Sequence, residues 1–402
     1  MGHGQRHYRS VKEIPPVPKY ALSLPMRLFY LGLVLVGLVT FLGALKIDPN
    51  RAWHSYLLNY FYWMSLGVSG VFFVALQYIT TSVWSTPIRR VADSFLGFLP
   101  VAFVLMLVLF LGVSHLYEWT HPAEVLHDSI LKGKSSYLNM PFFVIRNIVF
   151  YAIWFGAAIL LLKNSLAQDK NGDPRFTLKN RKIAAPFIVL FALSFTMASF
   201  DFLMSLEPHW FSTIFGVYTF AGLFYSSMAM MILFVIALRR NGVLAHVVNE
   251  NHLHDLGKLM FAFCVFWAYI AFSQYMLIWY GNLPEETGFM IRRTEGAWVP
   301  ISLALLFGKF VIPFFLLISR PAKRNENYLI FIAVWVLAMQ WLDCYWIVYP
   351  VLNDKPVFGW QEMGMFAGFL GLFVLSVTWV MQRIPLVPMK DPRLLEGVNH
   401  HQ

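Results

Sequence analysis

Charge is scarce in this sequence and cysteine scarcer: 13% of its 402 residues are Asp, Glu, Lys or Arg, and two are Cys. Soluble domains carry about 25% charged residues, so the chain lies outside that class. No CxxCH is present to attach haem, and no cysteine cluster to hold an iron–sulfur centre. The facing histidines of a membrane b-type haem are missing too, since only His115 falls within an apolar run, close to its end. A chain with no redox centre of its own is therefore expected. The short alternating segments of a β-barrel are also absent. The run HVVNENHLHD, residues 246–255, has metal-like spacing at His252 and His254 but no matching ligand set. It reads as a solvated loop, as do His121, His127 and Asp128, and no metal is expected.

What the sequence has in abundance is apolar length. Hydrophobic residues make up 58% of it, in uncharged runs of roughly 20 residues, each able to cross the hydrocarbon core as a helix. Ten such spans are predicted: Leu28–Leu45, Tyr56–Val83, Phe95–Tyr117, Met140–Leu162, Ile183–Leu206, Phe211–Leu238, Leu259–Tyr280, Trp298–Ile318, Tyr328–Tyr349 and Met363–Met381. The fold class is an all-α polytopic membrane protein. An arm (1–25) precedes the membrane domain (26–382), and a tail (383–402) follows it. The arm is polar and proline-broken, with neither the apolar core nor the cleavage site of a signal peptide.

Basic residues orient the spans. One side of a ten-span chain carries 22 of the 31 Lys and Arg, the other carries 7, and Arg146 and Lys309 lie inside spans. Positive residues stay cytoplasmic, so both termini are expected inside. The net charge of +10 then reports topology and contact with anionic lipid, not nucleic acid. Trp119, Trp210, Trp279 and Trp298 fall at outer span ends, where an interfacial belt would place them.

A weak internal repeat is visible. Phe61 to Arg90 and Phe211 to Arg240 match in length and in their terminal Arg pairs, and the fifth and ninth spans each hold an Asp seven residues before a Pro (Asp201 and Pro208, Asp343 and Pro350). This predicts two four-helix bundles of shared orientation, spans two to five (56–206) and six to nine (211–350), with two flanking helices.

Polar residues inside spans are costly, at about 2.5–3.5 kcal/mol each on insertion scales, and mark functional sites by default. Arg146, Asp201 and Asp343 lie about 8–9 Å below the outer edge, and Lys309 about 16 Å in, at the helical rise per residue. Gln274 is at a similar depth to the first three. Gln340 with Asp343, and His115 with Glu118, share helix faces at i, i+3. Arg146 with Asp201 is a plausible pair, since their spans are consecutive. A structural ion pair and a proton relay or headgroup site are both open readings. Glu207 and His209 follow in EPHWF, a loop too short to wander from the bundle mouth. Lys309 could snorkel or pair with a carboxylate.

Two stretches, DFLMSLEPHWFSTIFGVYTFAG (201–222) and AYIAFSQYMLIWYGNLPEETGF (268–289), closely resemble the F subunit of bacterial alternative complex III. That subunit is NrfD-like, related to the polysulfide reductase membrane subunit. The resemblance covers essentially the whole chain. It implies a bacterial inner-membrane subunit of a quinol:cytochrome c oxidoreductase, with quinol oxidised near the periplasmic face. Implied partners are a larger homologous NrfD-like membrane subunit, an iron–sulfur subunit, multihaem cytochrome c subunits and small membrane subunits. Haem c and iron–sulfur clusters would reside in those partners. This chain would supply a proton path or a contact with quinone (menaquinone among the candidates), as a non-catalytic or quinone-binding subunit. Asp201, Glu207 and His209 lie in the resembling stretch; Arg146, Lys309 and Asp343 are nominated by depth. The alternatives are a secondary transporter with a midplane site near Lys309, or a purely structural anchor. Transporter sites rest on paired broken helices, and no corresponding pair is evident in the two halves.

Overall fold

The computed structural model describes residues 7–401; the first six residues of the arm and the last of the tail lie outside the described residues. Among the described residues, ten helices are long and apolar enough to cross a membrane. They are α1 (Leu24–Ile47), α2 (Pro49–Ile79), α3 (Arg89–Leu116), α4 (Met140–Asn171), α5 (Arg175–Leu206), α6 (Phe215–Arg240), α7 (Glu250–Gly281), α8 (Gly296–Leu317), α9 (Glu326–Val351) and α10 (Trp360–Met381). No strand occurs among the described residues. Each predicted span corresponds to one helix, because an uncharged run that must satisfy its backbone in lipid has only the helix available.

Helices α2 to α5 close one four-helix ring and α6 to α9 a second, joined where α2 packs on α6 and α9 and where α5 packs on α6. The apolar window of α2 is wholly buried. That position explains why α2 tolerates Asn59, Ser65 and Ser69 along its length. Helices α1 and α10 flank the rings and meet at a glycine seam. A Cβ on Gly37 would sit 2.4 Å from the Cα of Gly368, so only small residues permit that approach. The outer side of α1 is bare Leu and Val, as a lipid-facing helix requires.

Two sequence expectations change at helix ends. Helix α2 stops at Ile79, so Arg89–Arg90 open α3, whereas Arg239–Arg240 close α6. The Phe-to-Arg match is thus not a match of helices. Thr80 and Thr81 turn the chain instead, their hydroxyls donating to the carbonyls of Leu76 (2.8 Å) and Thr80 (2.7 Å). Likewise His115 and Glu118 do not share a helix face. Tyr117 is extended (φ −123°, ψ 119°) and Glu118 begins a separate 3-10 turn.

Of the four tryptophans expected in an interfacial belt, only Trp279 is exposed. Trp210 stacks on Phe289 at 3.8 Å, Trp119 on Tyr117 at 5.2 Å, and the Trp298 indole donates to the Asn353 carbonyl at 3.2 Å. A Trp near a span end is equally suited to cap a bundle, and span position alone does not separate the two uses.

Arm and tail lie together on one face, here the terminal face: the Tyr8 amide donates to Asn399 Oδ1 at 2.9 Å. The tail folds over the start of α7 and overturns the expectation of a solvated loop at 246–255. His252 is fully buried, within 3.0 Å of the Gly397 carbonyl, and Asn249 caps the helix. Farther along, Asp391 accepts from Arg89 Nη2 at 2.7 Å. Burial alone would push the Asp391 carboxyl up, but Arg89 and Arg393 hold it below its ordinary value of 3.8. A depressed folded-state pKa stabilises above the unfolded value and loses that contribution as pH falls through the folded one. The tail should therefore resist pepsin at pH 5 and become cleavable only below 3.8. Tail cleavage at pH 5 as fast as in Asp391→Ala would contradict this.

Candidate functional site: two buried cation–carboxylate assemblies

The first assembly joins α4 and α5 in the half of the membrane away from the termini. Asn139 caps α4, its Oδ1 accepting from the Phe142 amide at 3.0 Å, which sets Arg146 and Asn147 facing α5. Helix α5 tightens into a 3-10 turn at Met204–Leu206 ahead of Pro208, leaving Asp201 on its last regular turn. Arg146 donates twice to Asp201, Nε to Oδ2 at 3.0 Å and Nη2 to Oδ1 at 2.8 Å. The Tyr137 hydroxyl (3.1 Å) and Asn147 Nδ2 (3.2 Å) donate to the same carboxylate. Four donors use all four lone-pair positions of an ionised carboxylate. Arg146 is equally committed, donating to the Tyr137 carbonyl at 2.8 Å beneath the rings of Tyr137 (3.8 Å) and Phe142 (4.3 Å). The pair anticipated from sequence is present, and it is saturated.

The second assembly joins α8 and α9 to α6, one bundle on. Lys309 Nζ donates to Asp343 Oδ2 at 2.6 Å and to Gln340 Oε1 at 2.7 Å, and its ammonium lies 4.2 Å over the Trp267 ring. The Tyr218 hydroxyl donates to Asp343 Oδ1. All four polar side chains are buried or nearly so. The local cause lies four residues after Lys309. Pro313 has no N–H to give the Lys309 carbonyl, and residues 306–311 form a π-turn. The freed carbonyls find other donors: Trp335 Nε1 to Gly308 at 2.6 Å, Tyr225 to Lys309 at 3.4 Å. The long lysine stem then carries the ammonium up from its deeper Cα to the level of Asp343. Gly222 on α6 makes room for the amide, since a Cβ there would lie 2.6 Å from Gln340 Oε1.

The two assemblies differ in a way that matters chemically. Asp343 accepts two hydrogen bonds where Asp201 accepts four. It also borders a cavity of about 10 Å³, about one water site in size, where the hydroxyls of Ser65, Thr219 and Ser226 stand among apolar side chains. The Ser65 hydroxyl has no partner among the described residues. Lysine can release its proton and arginine cannot.

The remaining nominated residues do not join these clusters. Glu207 accepts from Arg293 Nη2 at 2.6 Å; Arg293 in turn holds the carbonyls of Ile347 (2.8 Å) and Trp346 (3.0 Å) and stacks on Phe289 (3.5 Å). Burial pulls the Arg293 guanidinium down to about 10, partly offset by Glu207, which leaves it charged at neutral pH. His209 is exposed and pairs with Asp128 at 2.5 Å, and that hydrogen bond holds the Asp128 carboxyl below its usual value. No hydrogen bond links Asp201, Glu207 and His209 to one another among the described residues. His115 is exposed and contacts Asn50 Oδ1 at 2.8 Å; Glu118 is exposed; Gln274 is buried on α7.

Sequence reasoning also missed the buried carboxylate at the start of α10. Glu362 on α10 accepts from Arg51 Nε and Nη2, both at 2.9 Å, and from Tyr349 (2.5 Å) and Ser55 (3.2 Å). It opens α10 as a capping residue, its Oε2 accepting from the Gly359 amide at 2.8 Å, so its position at a span end hid its burial. No family model matches the chain, and no curated protein matches it either.

Proposed function

We propose that the chain is an integral membrane subunit of a respiratory quinol:electron-acceptor oxidoreductase, carrying no redox centre itself. In this reading Lys309 and Asp343 handle protons near the periplasmic face. One observation carries it: each bundle buries one cation–carboxylate pair in the half of the membrane away from the termini, on helices four apart in order, and of these two the α8–α9 pair combines a releasable proton, a carboxylate with free lone pairs and an adjoining cavity that holds three hydroxyls. The resemblance of residues 201–222 and 268–289 to the alternative complex III F subunit supports the same reading. So does the excess of Lys and Arg on the terminal face, which argues for cytoplasmic termini in a bacterial inner membrane. The partners would be a larger homologous membrane subunit, an iron–sulfur subunit and multihaem cytochromes c.

The transporter reading draws on one feature, the π-turn at Lys309. Its counterpart α4 runs unbroken from Met140 to Asn171, whereas transporter repeats break in corresponding places.

Gentle purification through a tag on this chain, with mass spectrometry and a reduced-minus-oxidised spectrum, tests the assignment. The expected result is co-purifying c-type haem with an iron–sulfur subunit and a larger homologous membrane protein. A colourless, solitary chain from cells expressing those partners would overturn it.

A further inference from the structure

Helices α7 and α8 pack together along the half nearer the termini, where Phe261 meets Phe314 at 5.3 Å, and part along the other half. Between them lies a cavity of about 550 Å³, within the size range of small-molecule sites. The helix Pro284–Thr294 contributes Phe289, Met290 and Thr294 to its lining, and α6 and α9 contribute Tyr218 and Trp346. On the bilayer side its edges are Phe272 and Tyr275 of α7 and Leu303 and Leu306 of α8, all exposed. The cavity therefore opens sideways, between two helices, toward lipid.

Its chemistry is selective. The lining is mainly apolar and aromatic. Gln274 lines it at 5% exposure and makes no side-chain hydrogen bond to the described residues. Its amide is open to the cavity and offers a ligand both a donor and an acceptor. The nearby cations are spoken for: Lys309 by Asp343 and Gln340, Arg293 by Glu207 and main-chain carbonyls. That disfavours a phosphate-bearing lipid head and suits a neutral, flat, carbonyl-bearing ring on a hydrocarbon tail. Tyr218 and Trp267 form the wall shared with the Lys309–Asp343 assembly.

We propose that this cavity binds a membrane quinone, its ring among the aromatic side chains, a ring carbonyl accepting from the Gln274 amide, and its tail leaving between α7 and α8. The site rests on the respiratory reading only for the choice of quinone among neutral ring-headed amphiphiles.

The test uses the full chain, with whatever co-purifies, in lipid nanodiscs and an azidoquinone with a ten-carbon tail as the photolabel. Label is expected on segments 267–275 and 289–306, displaced by the unlabelled decyl quinone. Ala271→Trp, which fills the cavity, should cut labelling at least tenfold. Gln274→Leu should weaken displacement about fivefold, the worth of one buried hydrogen bond. Label spread evenly over lipid-facing helices of the wild-type chain overturns the site whether or not either variant folds, as does labelling indifferent to Ala271→Trp. Specific label on a chain that purifies alone supports the site while the respiratory assignment fails. A haem-bearing complex with no label in the cavity overturns the site and leaves the assignment standing.

Discussion

Lys309→Met is expected to lower the stability of the membrane domain by about 3–5 kcal/mol, the usual cost of leaving one member of a buried ion pair without its partner. Asp343 would then face only the Tyr218 hydroxyl and an amide that has lost its own donor. Replacing both charges by apolar groups of similar volume is often neutral or stabilising. The double variant Lys309→Met/Asp343→Leu should therefore unfold within about 1 kcal/mol of wild type on those grounds. If the proposed respiratory reading holds, quinol oxidation and proton release by the purified complex should nevertheless stay depressed at least tenfold, because on that reading no group remains to hold or pass the proton. Thermal unfolding in detergent, with turnover and proton release in liposomes, reads both quantities. Recovery of stability and turnover together would make the pair a packing element and remove it from the proton path.

The Arg146 series should come out the other way. Arg146→Met leaves Asp201 buried and should again cost about 3–5 kcal/mol. Arg146→Lys should rescue little, because an ammonium cannot reproduce the two parallel hydrogen bonds to Asp201 or the stacking beneath Tyr137 and Phe142. The apolar double variant Arg146→Met/Asp201→Leu should regain stability and keep turnover within about twofold, as expected of a pair whose replacement by apolar groups is neutral. A stable double variant with lost turnover would return Asp201 to the proton path. The contrast between the two double variants carries more information than any single substitution, since each serves as the other's structural control.

The Arg146–Asp201 pair was legible because its helices are consecutive and a short connection places them side by side. The partner of Lys309 was not, although Lys309 and the Gln340–Asp343 face are both nominated by the sequence; Tyr218 and Trp267 are not. Residue depth alone put Lys309 about one helical turn and a half deeper than Asp343, at the rise of a regular helix. The π-turn and the extended lysine stem close that gap, and the signal for the turn was in the sequence, in Gly308, Lys309 and Pro313. Glu207 and His209 illustrate the opposite failure. Adjacency in EPHWF suggested a shared role, yet a loop that crosses a bundle mouth can aim successive side chains at different neighbours, here Arg293 and Asp128.

The sequence by itself determined the ten helices, while of the repeat that suggested two bundles and two flanks only the Asp–Pro spacing of α5 and α9 corresponds between helices. The reason is physical: lipid offers a backbone no hydrogen bonds, so apolar length alone dictates helix number. Only the tertiary structure decided which buried charges meet, that Asp201 has no lone pair to spare while Asp343 does, and that α7 and α8 part to leave an aromatic cavity beside Lys309. Those outcomes depend on side-chain direction and on contacts between helices remote in sequence, which a one-dimensional pattern of apolar and polar residues does not encode.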